Sequence, residues 1–104
     1  MARYRLIQWR DLPSLVEAMD GPHTVRVPLS QRFQDLIDAV AMREGATESE
    51  AYLAGWAPGP EAERPGDAET VAREVAAELE EGFQDLVTRR MLGPPPMGYT
   101  PPSQ

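Results

Sequence analysis

The chain has no cysteine and no lysine, and its only histidine is His23. Without cysteine there is no disulfide, no thiolate metal ligand, no iron–sulfur site and no thiol nucleophile, and nothing marks an oxidising compartment. Without lysine there is no Schiff-base chemistry and no phosphate-binding loop of the Gly-x-x-x-x-Gly-Lys-Ser/Thr type. A lone imidazole supplies neither a two-histidine acid–base relay nor a histidine-based metal set. His23 follows Pro22 just after the Asp20-Gly21 pair, which reads as a surface turn. Gly-x-Gly-x-x-Gly and Gly-x-Ser-x-Gly are also missing. Long apolar runs are missing too. The one after Met1-Ala2-Arg3-Tyr4-Arg5 is soon interrupted by charge, too short for a signal sequence or a bilayer span. These absences give the expectation of a cytoplasmic protein with no catalytic residues, no cofactor and no metal of its own.

What remains is 104 residues with a net charge of −7, all ten basic residues being arginine. That length holds one domain of roughly 85 to 90 ordered residues with one core and no room for a large cavity. The acid is uneven. Residues 1–45 carry as many arginines as acids, whereas the second half is strongly acidic, which opposes binding to phosphate backbones and argues against a nucleic acid partner. Carboxylates between residues 61 and 85 fall on a loop and on the solvent faces of a helix, where they serve solubility or partner contact. Tyr4, Trp9, Phe33, Tyr52, Trp56 and Phe83 are too few and too scattered to form a base-stacking platform, and read as core or core edge.

The spacing predicts an α+β fold, with a small antiparallel sheet of about three strands packed against two or three helices. Residues 3–10 form the first strand, ended by Asp11-Leu12-Pro13; residues 14–19 and 23–27 form a hairpin around Asp20-Gly21, with a short helix over 14–19 as the alternative. From Ser30 the period lengthens. Phe33, Leu36, Ile37, Val40 and Ala41 make one helical stripe that Gly45 can end. Thr47-Glu48-Ser49-Glu50 has the spacing of a capping box for a second helix ending near Gly55-Trp56. Residues 57–66, with three prolines and two glycines, read as an internal loop of a single domain over 1–92. Asp67 caps a third helix to about Met91, along which Val71, Val75, Leu79, Phe83 and Leu86 keep a narrow apolar line. Residues 93–104 hold five prolines and read as an extended tail. The piece Phe33-Gln34-Asp35-Leu36-Ile37 nearly recurs as Phe83-Gln84-Asp85-Leu86-Val87, which reads as two similar amphipathic helices.

The opening from Ala2 to Pro13, then Asp20-Gly21 and Val25-Arg26-Val27-Pro28-Leu29-Ser30-Gln31-Arg32-Phe33-Gln34-Asp35-Leu36-Ile37-Asp38-Ala39, resembles the bacterial virulence factor family, and the likeness runs on through Tyr52-Leu53 and Trp56. The resemblance implies an accessory protein that neighbours folate and corrinoid one-carbon enzymes such as methylenetetrahydrofolate reductases. It assigns no catalytic residue. The leading expectation is therefore an interaction domain docking on a larger enzyme through Trp56, Val71, Val75, Leu79 and Phe83. A second reading is a small-ligand binder or minor enzyme that grips an anion with Arg5, Arg10 or Arg26 beside Trp9 and His23. A third is self-association through the apolar stripe.

Overall fold

The computed structural model describes residues 1–46 and 48–92. β1 (Ala2–Trp9), β2 (Leu12–Asp20) and β3 (His23–Pro28) form an antiparallel meander. Two tight turns set its register. Gly21 has φ 60, and Pro22, fixed at negative φ, makes the Gly21-Pro22 connection a type II′ turn, the geometry that suits the twist of a hairpin. At the other turn Arg10 itself takes φ 54, uncommon for a residue with a side chain. It is held there by its N–H, which donates to the Gly55 carbonyl at 2.7 Å.

Residues 57–66 are more ordered than their composition predicts. β4 (Trp56–Pro58) and β5 (Ala62–Arg64) both pair antiparallel with β1, β4 along Ile7–Trp9 and β5 along Ala2–Tyr4. Among the described residues the sheet thus has five strands, somewhat more than the about three expected, in the order β3-β2-β1 with β4 and β5 sharing the far edge of β1. Prolines are tolerated there because an edge strand needs donors on one side only. Pro13 likewise lies inside β2 and not in the turn, opposite Gln8, where the ladder carries a bulge.

α1 (Gln31–Arg43) buries the expected stripe from Phe33 to Ala41. Its end is a Schellman turn: Gly45 at φ 73 donates to Met42 O and Ala46 donates to Ala41 O. At its start the Ser30 hydroxyl caps nothing; the Glu80 carboxylate instead accepts from Ser30 N–H and Oγ, both at 2.7 Å. α2 (Ser49–Ala54) starts without a side-chain cap at Glu48, and Thr47 of the expected capping box lies outside the described residues. α3 (Ala68–Glu81) is capped by Asp67, which accepts from Thr70 N–H. The expected single helix to Met91 is interrupted at Gly82, where φ −86 and ψ 4 separate α3 from α4 (Phe83–Val87), and Thr88–Leu92 widen into a π-helical turn. The expected tail, 93–104, lies outside the described residues.

α3 lies on one face of the sheet, closing a core of Ala2, Val16, Ala18, Leu29, Phe33, Val71, Ala72 and Val75. A second core gathers Trp9, Leu12, Leu36, Ile37, Val40 and Ala46 between the β1–β2 turn and α1, with Tyr52 and Trp56 at its edge. The Trp9 indole donates to Tyr52 O at 2.7 Å and stacks on the Tyr52 ring. Phe83 and Leu86 touch both cores.

Candidate interaction surface

Alternation along β1–β3 sends Tyr4, Leu6, Val16, Ala18, Val25 and Val27 toward α3, so the intervening residues face the other way. On that outer face the cross-strand row Arg5–Glu17–Arg26 runs across three strands. Glu17 is 2% exposed, and each of its oxygens accepts from a different guanidinium, Arg5 Nε and Arg26 Nε, both at 2.7 Å. The hydrogen bond from Arg26, then that from Arg5, holds the Glu17 carboxyl below the usual glutamate range, against burial, which pulls it up. The terminal nitrogens of both arginines meet no further carboxylate among the described residues. Ile7, Leu15 and Met19 share this face; all three are half-buried, and none belongs to either core.

A second cluster sits at the β1–β2 turn. Arg10 lies over the Trp9 ring at 4.5 Å and pairs with Glu44 at the end of α1. Glu44 also takes Arg90 at 3.2 Å, and Arg90 reaches Asp11 at 3.4 Å. Arg90 Nε is buried without a partner among the described residues. Beside this network a cleft of about 190 Å³ is lined by Asp11, Pro13, Phe33, Leu79, Leu86 and Arg89.

The expected interface residues do not form a free surface. Val71 and Val75 are 0% and 4% exposed, packed on the small residues of the chain's own sheet; Leu79 and Phe83 are half-buried against the same core, and Trp56 edges the second. The reason is geometric: Ala2 and Ala18 leave room on the inner face for a helix to approach, and the apolar line of α3 fills it. The expected anion-gripping set is not assembled either. Arg5 and Arg26 share a face but hold Glu17, Arg10 holds Glu44 at the opposite end of β1, Trp9 is fully buried, and His23 lies at the far edge of the sheet. Glu17 is the residue that reading the chain missed. Its signal was present, since a two-residue turn at Gly21-Pro22 by itself puts position 17 opposite position 26.

A model of the virulence factor family matches residues 7–90. The chain belongs to the virulence factor family. No curated protein and no solved structure matches it. The family span begins inside β1 and ends at Arg90, so it takes in Glu17, Arg26 and the Arg10–Glu44–Arg90 network and leaves Arg5 outside. Among the described residues of this virulence factor protein, no helix is long and apolar enough to cross a membrane, and no group of three or more His, Asp or Glu is placed to hold a metal ion.

Proposed function

We propose that this protein is a non-catalytic interaction module whose outer sheet face docks on a larger enzyme. The observation that carries this reading is the composition of that face. Ile7, Leu15 and Met19 lie on the face opposite α3 and belong to neither core, interleaved with arginines whose terminal nitrogens hold no acid among the described residues. A sheet face meant only for water alternates to polar residues, whereas methionine and arginine among aliphatic side chains is the make-up of a protein interface. A one-carbon enzyme of folate or corrinoid type is the partner we favour, on the strength of the family resemblance alone. Affinity-tagged protein purified gently at low salt is expected to bring down a flavin- or corrinoid-containing enzyme in stoichiometric amount, identified by its absorption spectrum. Leu15→Glu and Met19→Glu should cut that recovery at least tenfold with the fold intact. Recovery of the bare chain, or equal recovery with both variants, would refute the reading.

The spare guanidinium nitrogens of Arg5 and Arg26 favour a second reading, a receptor for a small anion. Thermal-shift screening against folates, phosphates and carboxylates separates the two, because bound anion raises the melting temperature of the chain on its own. A flat panel leaves the docking module.

A further inference from the structure

The sheet has one long open edge. β3 pairs with β2 alone, and no strand lies on its other side among the described residues. The direction of its backbone groups follows from a single bond: Leu29 N–H donates to Ser14 O at 3.0 Å. Hydrogen-bonded and non-bonded pairs alternate along an antiparallel ladder. With no bulge between β2 and β3, His23, Val25 and Val27 therefore turn their N–H and C=O groups toward β2. Thr24 and Arg26 turn theirs outward, as does Pro28, which has a carbonyl but no N–H.

Those outward groups are self-complementary. If a second β3 lies antiparallel with Val25 opposite Val25, Thr24 of each copy falls opposite Arg26 of the other, and these pairs exchange four N–H···O bonds. Pro28, which cannot donate, then falls opposite Pro22, which cannot donate either, so the ladder ends without an orphaned donor. Arg26 faces a threonine and never its own copy, so no like charges stand opposite each other. On the inner side of this edge lies a cleft of about 220 Å³ lined by Asp20, His23, Val25, Asp67, Ala68 and Glu69. In the same register Val25 and Val27 of the second copy arrive at Val25 and His23, at the wall of that cleft. Three carboxylates rim it, and β3 carries no acid, only His23 and Arg26. An acidic strand would be repelled there; β3 is not.

We infer that β3 is a homodimerisation edge at which two copies join their sheets across Val25. The inference is independent of the partner that occupies the outer face, and its test involves no partner. The chain has no cysteine, so one introduced thiol reports register without background. Cα atoms of a non-hydrogen-bonded antiparallel pair lie about 4.5 Å apart, within disulfide reach. Val27 and its own copy would be separated by four strand positions, about 13 Å, which no disulfide spans. Under mild oxidation Val25→Cys is expected to give a covalent dimer and Val27→Cys to stay monomeric. Wild-type protein should sediment as a dimer that dissociates on dilution. Thr24→Pro removes two of the four intermolecular bonds and none from the β2–β3 ladder. It should weaken that dimer at least tenfold while leaving the circular dichroism spectrum unchanged. A wild-type monomer at every concentration, equal cross-linking at both thiols, or undiminished dimerisation of Thr24→Pro would each overturn it.

Discussion

Glu17 is an acid almost sealed from water on the outer face of the sheet, where its two guanidinium partners stand in for solvent. Because the fold holds its carboxyl below the ordinary 4.5, ionised Glu17 stabilises the native state. That contribution is fully present above the unfolded value and is lost as the pH falls through the lower folded value. Both arginines keep contact with solvent, so Glu17→Gln should cost about 1–2 kcal/mol at neutral pH and close to nothing well below pH 4. Asp67, Glu78 and Glu80 are also held low, so acid weakens the wild type through several groups, and only the difference between the two proteins isolates Glu17. Denaturant titrations of both proteins at several pH values measure it; a gap that does not narrow in acid would contradict the assignment. Gly55 is a second residue with a single physical reason. Its backbone is ordinary, but an added Cβ would lie 2.5 Å from the Trp9 indole nitrogen. Trp9 is fully buried and tied to Tyr52 O, so it has nowhere to move. Gly55→Ala should therefore destabilise by about 1–3 kcal/mol of overpacking, visible as a lower melting temperature.

At the scale of elements, Gly82 shows how little separates one helix from two. Gly82 keeps both of its own i to i−4 bonds across the interruption, Gly82 N–H donating to Glu78 O and Leu86 N–H to Gly82 O. A Cβ built there meets Glu78 O at 3.5 Å, ordinary contact. Gly82→Ala should stabilise the fold by about 0.4–1 kcal/mol, chiefly by restricting the unfolded chain, and a loss of stability on thermal unfolding would show that the interruption is needed. The elements that were legible in the chain are those whose signal is local. The stripe of α1, Gly45 and the Asp20-Gly21 turn each depend on residues a few positions apart. β4 and β5 were hidden because three-residue strands among prolines have no period of their own; they exist only because β1 offers a free edge, as in the bond from Gly59 N–H to Leu6 O. That Val71 and Val75 pack inside the chain's own core was hidden for a related reason. An amphipathic stripe announces burial without saying whether its cover is the same chain or another.

For the molecule as a whole, the consequential feature is that two cores share one wedge. The α3–sheet core and the Trp9–α1 core are bridged by Phe83 and Leu86, and Phe83 meets Phe33 edge-on at 4.8 Å under the Arg32 guanidinium, 4.4 Å from its ring. The near-repeat read along the chain thus has its two phenylalanines in contact. Ion pairs across the same seam, Arg32 to Glu80 and Arg90 to Glu44, are partly exposed and add little by themselves. Cooperativity then rests on the aromatic wedge. Phe83→Ala should cost about 2–3 kcal/mol, less than a fully buried phenylalanine because Phe83 keeps some contact with solvent. The more telling effect is on the order of opening. In the wild type, amides of Val40 in α1 and Val71 in α3 should exchange with solvent through one global unfolding. In Phe83→Ala the α1 amides should exchange well before those of α3, since α3 keeps its packing on the sheet while α1 is left tied to the first core through Phe33 and Leu86 alone. Native-state hydrogen exchange at increasing denaturant reads both sets at once, and coincident exchange in the variant would mean that the cores are coupled through the sheet and not through Phe83.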